Sequence, residues 1–463
     1  MILKPFVKNK VYLQVLTIMR TYKHAFVKLK AMKKLTFIMI ALIASLTACD
    51  MGNGELIGVQ NRVEWYQPVP YGMLLIPQGS YTMGNTDQDV PGARVSKTKV
   101  VSVAAFYMDQ TEITNNEYRQ FVHWVRDSIA RKILGEEVSE EEFLNTVNIY
   151  GEDIDPPTIN WYSKFDWNGE EEREALEVMF LPDYERFYGQ KQLDTRKLMF
   201  EYSWIDYQAA ASRFNREQGQ IDRSVFIKTD IINVYPDTLA WVHDFTYSYN
   251  EPMTNMYFWH PAYDDYPVVG VNWKQARAFS IWRTNLLNTF LRQRGMNDVQ
   301  YFRLPTESEW EWASRGGLDN SQYPWGGPYI RNTLGCFLGN FKPMRGNYVD
   351  DGGLQTVKVY AYNPNDYGLF CMAGNVAEWT SNAYDEAAYD FQHDLNADYM
   401  YEAKEEDPPS LKRKVIRGGS WKDVAYFLHN GSRTFEYQDT AKCYIGFRNV
   451  MSYLGRPENN EEL

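Results

Sequence analysis

Residues 417–435 read RGGSWKDVAYFLHNGSRTF and gather Arg417, His429 and Arg433 with a glycine pair and Trp421. Such residues suit the floor of a binding site, since guanidinium and imidazole groups are ready hydrogen-bond donors. The stretch holds no cysteine, so it supplies neither a thiolate nucleophile nor a soft metal ligand. The six histidines, His24, His123, His243, His260, His393 and His429, show no HxH or HxxxH spacing that would turn two imidazoles toward one zinc or iron ion. His260 precedes Pro261 among aromatic residues and reads as a structural imidazole. No GxSxG, phosphate-binding loop or GxGxxG in a strand–helix context is present. Glu307, Glu309 and Glu311 are accounted for by helix capping, the helix dipole and solvation before acid–base chemistry is needed.

The elements that would position these residues are short strands punctuated by glycine, with only a few strong helices. Thr114 stands three residues before Glu117, the spacing of a capping box, and Tyr118, Phe121, Val122, Val125 and Ile129 follow at helical intervals. A second helix is expected from Trp273 to about Arg292, with Ala276, Phe279, Leu286, Leu287 and Phe290 facing inward. A third opens at Thr306 and Glu309, another capping box directly after Pro305, and buries Trp310 and Ala313. Arg417, Gly418, Gly419 and Trp421 read as core, with Arg448 paired to a buried carboxylate or carbonyl.

The chain has 463 residues, including 34 Tyr, 24 Phe and 14 Trp, so most of it is expected to fold around a sizeable core. A net charge of −12 and no basic cluster after residue 50 argue against nucleic acid as a partner. Residues 1–31 differ, being basic and free of Asp and Glu. Residues 32–48, MKKLTFIMIALIASLTA, place two lysines before an apolar run too short to span roughly 30 Å of hydrocarbon, as a secretory signal peptide does. Leu46-Thr47-Ala48-Cys49 resembles a bacterial lipobox, so Cys49 is the expected lipidation site. Met32 then reads as the start, residues 1–31 as a gene-model extension and residues 49–70 as a lipidated flexible tether. The remaining thiols, Cys336, Cys371 and Cys443, allow one disulfide with one cysteine left over in an oxidising compartment. Residues 454–463 form an acidic tail.

GMLLIPQGSYTMGNTDQD (72–89), VVSVAAFYMDQTEITNNEYRQF (100–121), YPVVGVNWKQARAF (266–279), YFRLPTESEWEWASRGG (301–317), YPWGG (323–327), NPNDYGLFCMAGNVAEWTSN (363–382), VIRGGSW (415–421) and IGFR (445–448) follow one another in a recognisable order. Together they resemble the formylglycine-generating-enzyme, or sulfatase-modifying-factor, domain family over residues 71–453. The resemblance implies an α+β fold related to C-type lectins, with little regular secondary structure. Residues 127–255 stand out as a long insertion rich in acidic and aromatic residues, whose ring density suggests that much of it packs. Within it, DTLAWVHDFTYSYNEPM, running into YFWHPAYDDYPVVGVNW, resembles the gliding-motility lipoproteins of the GldK type, counterparts of PorK in type IX secretion, with the GldJ type as the nearest competitor.

Catalytic members of the family hold copper between two cysteine thiolates just after the GGS turn. Here Asp423 and Leu428 stand at the counted positions, and GNVAEW carries Ala377 where members usually have tryptophan. The resemblance therefore implies a pseudoenzyme with no catalytic cofactor, in which Trp421, His429 and Arg433 line a vestigial groove. It also implies calcium at Asn340, the Phe341 carbonyl, Asp351 and the Gly353 carbonyl, although Asn340 and Asp351 could simply cap loops. A second set maps to Cys371, the Gly374 and Val376 carbonyls and Glu378, and there sulfur, a poor calcium ligand, replaces an oxygen.

The function so implied is that of a non-catalytic lipoprotein, lipid-anchored in the outer membrane and facing the periplasm, in the ring complex of the type IX secretion and gliding machinery. Its expected partners are a GldN/PorN-type periplasmic protein, an outer-membrane β-barrel of the PorG type and further copies of itself. The alternatives are an exported copper-dependent formylglycine-generating oxidase and a lectin-like ligand-binding module.

Overall fold

The structure is a computed structural model and describes residues 66–85, 97–148, 150–217, 222–245, 251–343, 349, 352–393 and 397–455. The chain divides into two units, Met1–Trp65 and Tyr66–Leu463. The first lies wholly outside the described residues, and with it the expected signal peptide, Cys49 and most of the expected tether. Among the described residues, no helix is long and apolar enough to cross a membrane.

Two small sheets frame the second unit. In the first, β1 (Met73–Ile76), β4 (Phe106–Asp109), β14 (Val450–Ser452) and β9 (Phe302–Arg303) lie side by side in that order, all antiparallel. In the second the order is β12 (Thr434–Tyr437), β11 (Arg413–Arg417), β10 (Ala377–Ala383) and β13 (Ile445–Gly446), the last pair parallel. Three two-stranded ribbons join β2 (Gly79–Met83) to β3 (Lys99–Val103), β5 (Leu144–Val147) to β6 (Asp153–Ile159) and β7 (Met199–Ile205) to β8 (Ile227–Asn233). Mixed short strands and helices make this an α+β arrangement.

Three helices bring the core together. Helix α1 (Asn115–Glu137) starts at Thr114, whose hydroxyl accepts from the Glu117 N–H while the Glu117 carboxylate accepts from the Thr114 N–H at 2.8 Å. Tyr118, Phe121, Val122 and Val125 are buried along one face, and Tyr118 stacks on Phe279 of α2 (Trp273–Gln293) at 5.6 Å. A capping box at Asn272 and Gln275 starts α2. Its buried face is placed differently from the apolar spacing: Ala276 and Phe279 are inside and Leu287 is half-buried, whereas Leu286 and Phe290 are each 46% exposed. In the C-terminal half of α2 the buried stripe runs instead through Thr284, Asn288 and Leu291. Helix α3 (Glu307–Arg315) starts at the Thr306/Glu309 capping box and ends on left-handed Gly316.

The segment 127–255 begins inside α1, which continues ten residues beyond Asp127 to Glu137. It folds onto the body. Leu134 of α1 clusters with Phe143, Leu176 and Met179, and the Arg131 guanidinium lies 4.9 Å from the Trp161 ring and 5.0 Å from that of Phe165. Tyr202 of β7 and Ile232 of β8 join the main core. Tyr162, Tyr184 and Tyr188 are more than four-fifths exposed, so the same segment also presents aromatic rings to its surroundings. Cys336, Cys371 and Cys443 are all free thiols, so the one disulfide their number allows is not formed.

Candidate functional site

At the glycine pair after β11, φ is +90° at Gly418 and +66° at Gly419, and a Cβ there would come within 3.1 Å of the Met372 carbonyl and 2.9 Å of the Phe427 carbonyl respectively. Only glycine accepts both the left-handed backbone and the close approach without strain. The turn delivers Trp421 into a buried cluster with Trp241, Tyr257, Val376 and Cys443. The Trp421 ring stacks on Trp241 at 5.8 Å and meets Phe245 at 5.1 Å, both from the 127–255 segment. This face of the turn is filled with hydrocarbon.

The two positions where a thiolate pair would stand are occupied differently. Asp423 accepts a hydrogen bond from the Ser420 hydroxyl at 2.5 Å, and its carbonyl accepts from the Lys342 N–H at 2.8 Å. Leu428 is 1% exposed, packed among Tyr323, Phe337, Phe341 and Ala373. His429 is half-buried, its Nε2 2.9 Å from Gln322 and 3.1 Å from the Tyr323 hydroxyl, so its ring is held by polar neighbours.

Beneath the turn lies a charge network. Glu307, Glu311 and Arg315 follow one another four residues apart on one side of α3, and all are buried. Arg433 donates to both Glu307 oxygens, at 2.6 and 3.1 Å, and the Tyr389 hydroxyl adds a third bond at 3.1 Å. Arg417 donates to Glu311 and, at 2.6 Å, to the Ser432 carbonyl. Arg315 donates to the other Glu311 oxygen at 2.7 Å, and that oxygen also accepts from the Gly84 N–H. Burial alone would raise the Glu307 carboxyl, but Arg433 and Arg417 outweigh it and hold the carboxyl below its usual value. These glutamates are therefore not the solvated helix-start residues the sequence suggested. The four-residue repeat on a helix whose Trp310 and Ala313 were expected inside was the available sign. The partner arginines lie about a hundred residues downstream and gave none.

Of the first calcium set, Asn340 is buried and its amide nitrogen donates to the Gln355 carbonyl at 2.7 Å, which fixes the side-chain orientation. The Asn340, Phe341 and Gly353 oxygens are hard donors of the kind calcium takes; Asp351, the charged member, lies outside the described residues. The second set does not fit a calcium ion. Arg448 donates to both Glu378 oxygens, at 2.7 and 2.6 Å, and the Trp310 indole donates to one of them at 2.8 Å. A cation would have to displace a buried guanidinium. Gly374, at φ +83°, sits where a Cβ would fall 2.3 Å from the Asn340 carbonyl, and the Val376 N–H donates to buried Glu112 at 3.2 Å. Burial pushes the Cys371 thiol well above its usual value, with Glu112 and Glu378 adding to the rise, so it stays protonated. Among the described residues, no group of three or more His, Cys, Asp or Glu side chains could hold a metal.

A model of the sulfatase-modifying factor enzyme 1-like domain matches residues 66–453. The inactive Cα-formylglycine-generating enzyme 2 of Bos taurus is 34% identical over 199 residues, covering 42% of this chain and 52% of that protein. The formylglycine-generating enzyme of Bos taurus is 25% identical over 393 residues, covering 83% of this chain and 76% of that enzyme. The chain thus spans about half the length of the inactive relative it matches. Among solved structures, PvdO from Pseudomonas aeruginosa aligns over 82% of this chain and 94% of its own, with a TM-score of 0.43 and 15% identity.

Proposed function

This chain belongs to the sulfatase-modifying factor enzyme 1-like domain family, and from that premise we propose that it is a non-catalytic member whose fold serves as a structural and binding body. The observation that carries the reading is the identity and packing of the two residues after the GGS turn. Leu428 offers hydrocarbon in a closed cluster, and Asp423 offers a hard oxygen already bonded to Ser420. Cu(I) is held by soft donors, which neither side chain supplies. The test is copper titration of the purified protein under reducing conditions with a cysteine-containing peptide. Weak, non-stoichiometric copper binding and an unaltered peptide are expected; stoichiometric tight binding with oxidation of the peptide cysteine overturns the reading.

At a finer level, the same proposal places the protein in the outer membrane, lipid-anchored through Cys49 and facing the periplasm. There it joins the ring of the type IX secretion and gliding machinery with a GldN/PorN-type partner, a PorG-type β-barrel and further copies of itself. The lipobox, the GldK-like stretch around residues 237–273 and the exposed aromatic residues of the 127–255 segment support it. Calcium at Asn340, Phe341, Asp351 and Gly353 belongs to the proposal as a loop-ordering ion. Native-membrane co-purification followed by mass spectrometry should recover these partners. It should fail to do so for Cys49→Ala, which is expected in the soluble fraction, whereas membrane retention and unchanged partners in that variant would count against the anchor.

A further inference from the structure

A cavity of about 540 Å³ opens between β7, α2, β9 and β11 and shares no lining residue with the 417–435 stretch. Its size falls within the roughly 300–1,000 Å³ of small-molecule sites. The walls are largely apolar, with Trp204, Trp273, Ile281, Phe302, Leu304 and Met400 among the lining residues. Three cations also line it, and two are already neutralised. Arg277 lies 3.9 Å from the Trp204 ring and donates to Glu402 at 2.7 Å, while Arg303 donates to both oxygens of Glu309 at 2.6 Å.

Lys414 is different. It is 1% exposed, with Nζ 2.7 Å from the Tyr401 carbonyl and 4.0 Å from the centre of the Trp273 ring. Among the described residues no carboxylate lies within ion-pairing distance of it, although an ammonium has three donors to place. The buried indole N–H of Trp204 has no hydrogen-bond partner among the described residues. A buried amine of this kind, facing a roomy aromatic cavity, is complementary to an anion carried on a flat apolar body.

We propose that this cavity binds a small aromatic carboxylate, its ring against the indole walls and its carboxylate on the Lys414 amine. The site is independent of the non-catalytic reading of the turn. Burial lowers the Lys414 amine to about 7, Arg277 pushing the same way and Glu402 opposing. A bound carboxylate favours the ammonium, so binding takes up a proton above neutrality and weakens as the pH rises past about 7. The other titratable or charged groups around the cavity are Asp206, Tyr207, Tyr301 and Tyr401, with the paired arginines and their glutamates. Glu436 stands opposite Lys414 on β12.

The test is calorimetric titration of the full-length protein with 1-naphthylacetate and its neutral analogue 1-naphthylacetamide. At pH 6 the acid is expected to bind at one saturable site at least about tenfold more tightly than the amide, the scale of one charge-assisted hydrogen bond. That preference should shrink toward pH 9 and vanish in Lys414→Met. Absence of saturable binding, equal affinity for acid and amide at pH 6, or a preference that survives Lys414→Met would each overturn the proposal. The first two are read on the unaltered protein and stand even if the variant fails to fold.

Discussion

Arg433 shows what a buried charge costs when its partner is removed. Its guanidinium closes both oxygens of Glu307 below the GGS turn, and neither side chain has water to fall back on. Arg433→Met should destabilise the folded unit by about 3–5 kcal/mol, measured as a shift in urea midpoint, because it removes the bidentate partner of a buried carboxylate and leaves it only Arg417, 3.7 Å away, and the Tyr389 hydroxyl. The pH dependence has a definite sign. Since the Glu307 carboxyl is held below its ordinary value, its contribution is present above about pH 4.3 and is lost as the pH falls through the lower folded value. In Arg433→Met the largest force opposing burial is gone, so this part of the acid-limb slope should shrink in the denaturation profile. Lys414 works the other way: with its amine lowered to about 7, the folded state is penalised below that pH and relieved as the pH rises toward about 10. The stability difference between Lys414→Met and the unaltered protein should therefore shrink over that interval.

The helices were the most legible elements, and the reason is locality. Thr306 and Glu309 bond each other's backbone N–H across three residues, so their geometry is written in adjacent positions. Thr306→Ala should cost about 1 kcal/mol in thermal or urea unfolding. It should also loosen α3 enough to disturb Glu307 and Glu311, which the first turns of that helix carry. Thr114 and Glu117 were readable for the same reason. The inward face of α2 was only half readable, since the apolar spacing that includes Leu286 and Phe290 says nothing about which neighbours arrive to cover them. The ion network was harder still. Arg417 and Arg433 reach α3 only because β11 and the turn after it pack against that helix, a relation that no local pattern encodes. The 540 Å³ cavity likewise draws its walls from β7, α2, β9 and β11, and nothing in the sequence of any one of them announces it.

On the scale of the whole molecule, the 127–255 segment is part of the body rather than a loop beside it, because Trp241 and Phe245 form the packing surface of Trp421. Trp241→Ala should therefore destabilise by about 3–5 kcal/mol and make the Trp421 indole accessible to an aqueous fluorescence quencher. An unchanged quenching profile would mean the two rings do not cover each other in solution. Order of assembly follows from where the late strands lie. Val450 pairs with Met108 on one side and with Arg303 on the other, while Ile445 and Gly446 complete the second sheet beside β10. Neither sheet can be finished until the ribosome has delivered residues 445–452, so nascent chain of every shorter length lacks the strand that bridges its early and late halves. A nonsense codon just upstream of Ile445 would split the first sheet, leaving β1 and β4 parted from β9, and strip the edge strand from the second, so the last strands delivered are the ones that join the body together.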